Sequence, residues 1–207
     1  IKQCLVGSEM CIRDSIYMDE YEGWYSISEE RFITEKELDS GQFGQVKQIK
    51  EKNYFFRMSK YQATLIDKIE KDEFLIQPKS RKNEVLGFLK NELSDLCISR
   101  PKSRLEWGIE LPFDDNYVTY VWFDALINYI SAIGAYSNDE QFSSLWPADV
   151  HLIGKDILTT HSVYWPTMLL SLGLPLPERI FAHGWWLTDD QKTVSYTHLT
   201  LPTTIEV

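Results

Sequence analysis

Two rhythms divide the chain. From Ile16 to about Arg57, "YEGWYSI", "ERFIT" and "GQVKQIKEKNYFFRM" alternate β-branched or aromatic residues with polar ones, and "DSGQFG" interrupts them. That pattern predicts short strands in an irregular, β-rich unit. The period then lengthens: Tyr61, Leu65 and Ile69 recur four apart behind Ser59, a candidate cap, and predict a helix. Val85, Leu86 and Leu89 in "KSRKNEVLGFLKNEL" predict a second helix, and "ISRPKSRLEWGIELP" reads as an extended linker with proline breaks.

Beyond the linker, strand and helix patterns alternate. "YVTYVWF" predicts a strand, "DALINYISAIG" a helix ended by Gly134, "DVHLIG" a strand, "KDILTTHSVYWPTMLLSLG" a helix ended by Gly173, and "RIFAHGWWL" a strand. Such alternation implies an α/β fold with a parallel, doubly wound sheet. Ligands of these sheets bind beyond the carboxyl ends of the strands, so "VWFDAL", "LIGKD" and "FAHGW" are the segments where chemistry is expected.

The two ends follow neither period. "IKQCLVGSEMCIRDS" holds two of the three cysteines, and after Lys192 the chain continues as "TVSYTHLTLPTTIEV". Cys4 to Asp14 can be encoded by one arm of a transposon-type sequencing adapter, and Val194 to Pro202 by the other arm reverse-complemented. Residues 1–15 and 193–207 are therefore expected to be adapter read-through and are set aside from fold and function. Sequencing the source DNA across Lys192 checks this, because Thr-Val-Ser-Tyr in the genome would make the tail natural.

Composition narrows the remaining possibilities. The chain has 21 Lys and Arg against 31 Asp and Glu, a net charge of −10, which argues against a general nucleic-acid-binding surface in this portion. Only Cys97 lies between the two ends, so no disulfide framework is expected, and no apolar run approaches the ~18 residues of a membrane span. The heavy aromatic load suits a core, an interface or amphipathic pocket walls equally well.

Spacing singles out two stripes. Ile157, His161, Trp165 and Leu169 fall four apart on one predicted helix, while Trp122, Ala125, Leu126 and Tyr129 fall at i, i+3, i+4 and i+7 on the other. Each begins at the carboxyl end of a strand, so the pair could enclose a small apolar ligand whose amine or carboxylate stays at the rim. A thioether would suit aromatic walls, since sulfur packs well against ring edges. Stripes at helical spacing are, however, most often core, and a lone His161 is most often a satisfied buried histidine. Asp156 could simply favour a helix start, and Gly154 the turn before it. "HG" at His183 and Gly184 is equally ambiguous. No phosphate-cradling G-x-G-x-x-G or P-loop, no Cys/His set at zinc spacing and no Ser/His/Asp set is present, so hydride transfer, metal hydrolysis and acyl-enzyme chemistry are unsupported.

A family resemblance sharpens this picture. "YEGWYSISEERFITEKEL", "KNYFFRMSKYQ", "IQPKSRKNEVLGFL", "CISRPKSRLEWGIELP", "YVWFDALINYI", "WPADVHLIGKDI", "HSVYWP" and "RIFAHGWWL" occur in the order found in methionyl-tRNA synthetases. The chain resembles that class I family over essentially all of residues 16–192. The resemblance implies a β-rich connective insertion with flanking helices over 16–115, followed by the second half of a Rossmann-like nucleotide-binding domain over 116–192. It implies a methionine pocket formed by Trp122, Ala125, Leu126, Tyr129, Ile157, His161 and Trp165. Gly154, Asp156, His183 and Gly184 fall on its adenosine side. Arg100 resembles the family's active-site arginine, and Lys192 stands where the first lysine of Lys-Met-Ser-Lys-Ser would stand.

The implied reaction joins methionine to ATP, which carries Mg2+, as methionyl-adenylate, and then transfers methionine to tRNA(Met). The implied compartment is a bacterial cytoplasm or a mitochondrial matrix, with no membrane partner. Ser26 and Glu29 occupy positions where many members begin a Cys-x-x-Cys zinc knuckle, so no metal is expected. The His-Ile-Gly-His signature and the anticodon-binding helices have no counterpart in this chain, and by itself it is expected to be inactive. Two other classes fit less of the pattern: a sister class I synthetase for leucine, isoleucine, valine or cysteine, and a non-enzymatic aromatic-lined binding domain.

Overall fold

The structure, a computed structural model, describes residues 15–26, 31–33, 38 and 45–184. The first unit is antiparallel: β1 (Ile16–Ser26), β2 (Arg31–Ile33) and β3 (Val46–Phe56), with β1 and β3 in register from Ile16↔Phe56 to Ser26↔Val46. Its inner end is anchored, because Ile16 and Phe56 are buried in the main core while Met18 is exposed. Ser15 belongs to that anchor: it is buried, its hydroxyl hydrogen-bonds Tyr61 Oη at 2.7 Å, and its carbonyl accepts from the Arg57 N–H.

A 3-10 turn (Met58–Tyr61) leads into α1 (Gln62–Glu70). Ser59 does not cap this helix. It lies inside the turn, and its N–H donates to Asp95 Oδ1 at 2.9 Å, while Tyr61 occupies the cap position without a side-chain bond to the helix's own N–H groups. β4 (Leu75–Gln77) and α2 (Lys79–Phe88) follow, with Leu65 and Ile69 of α1 and Val85 of α2 turned into the core.

The expected linker is not a linker. β5 (Leu96–Cys97) extends the first sheet to the order β2-β1-β3-β5, while β6 (Ser99–Pro101), β7 (Glu110–Leu111) and β8 (Asp114–Thr119) form an antiparallel sheet of order β6-β8-β7. Likewise "YVTYVWF" is not one strand. β8 ends at Thr119, Tyr120 caps, and α3 (Val121–Ser131) begins. The turn is made because Phe123, Leu126, Ile127 and Ile130 share one helical face and all are buried.

After α4 (Asp139–Leu145) come β9 (His151–Gly154), a π-helical turn (Thr160–Tyr164), α5 (Trp165–Leu172) and β10 (Arg179–His183). Pro166 opens α5, and Gly173 closes it at φ +70°, the left-handed cap that glycine adopts without a Cβ penalty. All of α5 except Leu170 is buried, which makes it the central rod of the core.

A parallel sheet is present, but its membership differs from the expected one. Its order is β4-β10-β9, with Arg179↔Leu75 on one side and Ile180↔His151 through His183↔Gly154 on the other. The strand preceding α3 belongs to the antiparallel sheet instead. The parallel sheet thus joins β4, from before residue 116, to β9 and β10 from after it. No helix among the described residues is long and apolar enough to cross a membrane.

Candidate functional site

The site grows from the carboxyl ends of β9 and β10. Their register sets Gly154 beside His183, so two residues of the expected adenosine side come together across one strand pair. A Cβ built on Gly154 would stand 2.7 Å from Asp156 Oδ1, so the missing side chain is what lets that carboxylate fold over the strand end. His183 Nδ1 donates to the Gly184 carbonyl at 2.6 Å, and Gly184 has open space where a Cβ would be.

The two stripes do meet. His161 lies in the π-helical turn, a feature that adds one residue to the turn and recurs at functional sites. Its Nδ1 sits 3.0 Å from the Ile157 carbonyl and its Nε2 3.0 Å from Tyr129 Oη. A carbonyl only accepts, so Nδ1 carries the proton, and the Tyr129 hydroxyl therefore donates to a bare Nε2. One bond thus ties α3 to the segment after β9.

Burial separates the stripe residues into two sets. Leu126, His161 and Trp165 are closed off, with Trp165 at 0% exposure, whereas Tyr129 keeps 39%, Trp122 and Ile157 are half-buried and Ala125 is exposed. Core packing accounts for the first set. It does not account for Trp122, Ala125 and Tyr129, which flank the helical face that fills the core and form a rim.

Two residues that spacing did not single out complete the aromatic wall. His151 is 6% exposed; its ring lies 4.4 Å from the Tyr129 ring and its Nε2 accepts from Trp165 Nε1 at 3.3 Å. Trp146 packs edge-on to Trp165 at 6.0 Å and donates its Nε1–H to the Pro175 carbonyl at 2.9 Å. The available signal for His151 was a polar residue on the inward face of an apolar strand, two positions from buried Ile153.

The electrostatics favour a neutral wall. Burial, then the nearby His161, lowers His151 from 6.5 to about 4; burial also lowers His161 against the opposing Ile157 carbonyl, and burial raises Tyr129. A histidine kept neutral by folding leaves the unfolded chain as the better proton binder between pH 6.5 and about 4. Its stability contribution is whole above pH 6.5 and drains away as pH falls, by up to about 3 kcal/mol for His151. The urea midpoint should therefore drop between about pH 6.5 and 5, above the carboxylate range; a flat midpoint there would contradict the neutral wall.

Arg100 stands apart from this wall. On β6, its Nη1 donates to the Ser99 carbonyl at 2.7 Å and to Cys97 Sγ at 3.3 Å, and its guanidinium covers the Tyr120 ring at 4.9 Å. It reaches the site through Tyr120, the cap of the helix that carries the rim. Burial pushes the Cys97 thiol up, with Arg100 opposing, so it is not a poised nucleophile. Lys192 and Glu29 lie outside the described residues, and among the described residues no group of three or more His, Cys, Asp or Glu could hold a metal ion.

An α/β body with a parallel sheet, and residues gathered at its strand ends, fit a Rossmann-like domain with a connective insertion, and similarity makes the family specific. The family described as tRNA synthetases class I (M) matches residues 38–200, a span that runs beyond Lys192, and the chain belongs to that family. It is 52% identical over 183 residues to the methionine–tRNA ligase of Clostridium acetobutylicum, covering 86% of this chain and 28% of that protein. Against the Bacillus subtilis methionine–tRNA ligase it is 47% identical over 196 residues, covering 86% and 29%. Among solved structures it resembles Mycobacterium tuberculosis methionyl-tRNA synthetase in complex with methionyl-adenylate, with TM-score 0.78 and 41% identity over 88% of this chain and 37% of that one. The chain thus spans under a third of the length of these curated relatives.

Proposed function

We propose that this chain is part of the catalytic body of a methionine–tRNA ligase, which activates methionine with ATP and transfers it to tRNA(Met). The observation that carries this reading is the Tyr129–His161 hydrogen bond, which closes a rim of Trp122, Ala125 and Tyr129 against Ile157, His161 and Trp165 at the end of β9. In this proposal those residues and Leu126 form the methionine side of the site. Aromatic edges and a neutral imidazole would favour a thioether over a charged side chain.

Gly154, Asp156, His183 and Gly184 form the adenosine side, where the open position at Gly184 lets a nucleotide approach the strand end closely and Gly154 gives the Asp156 carboxylate its room. Arg100, Asp156 and Lys192 are the groups proposed to act on the reacting atoms. No covalent enzyme intermediate is needed, so the protein contributes orientation and stabilisation of charge on the transferring phosphate, with Mg2+ arriving on ATP as substrate. Because it spans so small a share of its relatives, this chain alone is not expected to activate methionine. The bacterial cytosol or an organelle matrix is the proposed compartment.

Tryptophan fluorescence of the whole protein tests the pocket. Methionine is expected to change the emission saturably, whereas leucine, isoleucine, valine and cysteine are not; a larger response to one of those would reassign the site to a sister synthetase. A response to none of them, with no effect of ATP, would favour the non-enzymatic binding domain. The absence of a zinc knuckle is a separate proposal, resting on Ser26 and Glu29 in place of cysteines. Metal analysis is expected to find only trace zinc, and stoichiometric zinc would contradict it.

A further inference from the structure

We infer that His151 is a positioning residue of this site: its bare Nε2 fixes the Trp165 indole and its ring supports Tyr129, so the aromatic wall is held in one arrangement. The inference deepens the proposed function and rests on that reading of the wall. Three contacts converge on the one imidazole. Trp165 Nε1 donates to it at 3.3 Å, the Tyr129 ring lies 4.4 Å away, and the Trp146 ring lies 6.1 Å away. Those neighbours come from α5, α3 and the loop before β9, so the ring of His151 joins separate elements.

Core filling alone does not explain a histidine here. The Trp165 indole is completely enclosed, and its N–H would lose its partner if an apolar ring replaced His151. Because Nε2 accepts from that N–H, the remaining proton sits on Nδ1, a tautomer set by the protein rather than by solvent. Tyr129 is then constrained twice, by the His151 ring beneath it and by the His161 nitrogen at its hydroxyl. Its exposed part is what a substrate side chain would meet.

Two substitutions separate positioning from bulk. His151→Phe keeps a ring but removes the acceptor; His151→Gln keeps an acceptor, Oε1, near the position of Nε2. In the whole ligase, measured by ATP–pyrophosphate exchange, His151→Phe is expected to raise KM for methionine about tenfold, the scale of one lost buried hydrogen bond, with kcat and KM for ATP within about twofold. His151→Gln should return KM to within about twofold of the native value, on the same hydrogen-bond argument. A native methionine KM in His151→Phe, or equal impairment in both variants, overturns the inference.

A native-state measurement decides the matter even if His151→Phe does not fold. With 15N-labelled indoles, the Trp165 Nε1–H is expected downfield and protected from exchange; a solvent-like, unprotected resonance overturns the inference. If the native enzyme instead uses an amino acid other than methionine, the proposed function fails by itself. The indole resonance still reports on His151 in that case.

Discussion

Replacing Trp165 by alanine is expected to cost about 3–5 kcal/mol of stability, the range of large-to-small changes at fully enclosed aromatic sites. Trp165 has no exposed surface, stands at the start of the buried helix α5, and touches Tyr129, Trp146 and His151. Truncation would leave a cavity in the core and deprive the His151 acceptor of its donor. The neighbouring rings are held by their own helices and strands, so they can close only part of that space. Trp107, 78% exposed, supplies the control: Trp107→Ala should fall within about 0.5 kcal/mol of the native protein. Urea denaturation reads both, and similar midpoints for the two variants would contradict the core described here.

The second large effect separates stability from activity. Gly154→Ala puts a Cβ at 2.7 Å from Asp156 Oδ1, a contact relieved by swinging one carboxylate rather than by moving backbone. Gly154 has φ −70°, a value alanine adopts without strain, so the melting temperature should be nearly unchanged. The displaced carboxylate, however, belongs to the proposed adenosine side. Adenylate formation by the whole protein should fall about a hundredfold, the usual consequence of misplacing a site group by an ångström. A folded Gly154→Ala enzyme with native exchange activity would remove Gly154 and Asp156 from the site.

How much of this was legible in the sequence depended on whether the signal was local. The helix from Trp165 to Leu172 carries its own start and stop, Pro166 and Gly173, and the strands at Leu152 and Ile180 are apolar runs with clear borders. β4 was not legible because three residues, Leu75 to Gln77, are too few to display a period, and their pairing with Arg179 to Phe181 joins positions half the chain apart. β6 and β7 were read as a linker for the same reason: Arg100 pairs with Val118, and Pro101 looks like a break until it proves to be the end of a short strand. In "YVTYVWF" no breaker marks the joint at Tyr120. The run has strand propensity throughout, and only the buried face of Phe123, Leu126, Ile127 and Ile130 turns its second half into helix.

The candidate site was legible to a similar degree. Spacing found the rim residues Trp122, Ala125 and Tyr129 and the partner His161, because all lie on helices where four-residue periods are visible. It could not distinguish wall from core, since Leu126 and Trp165 obey the same spacing and are enclosed. His151 had no helical partner to announce it. Its role depends on three-dimensional neighbours, namely the rings of Tyr129, Trp146 and Trp165.

Amino-acid-dependent ATP–pyrophosphate exchange by the whole protein tests the central claim most directly. Label should enter ATP with methionine and not with leucine, isoleucine, valine or cysteine, and Tyr129→Ala should weaken methionine dependence while leaving ATP dependence in place. Exchange driven by another amino acid, or by none, would contradict the assignment of this site to methionine activation.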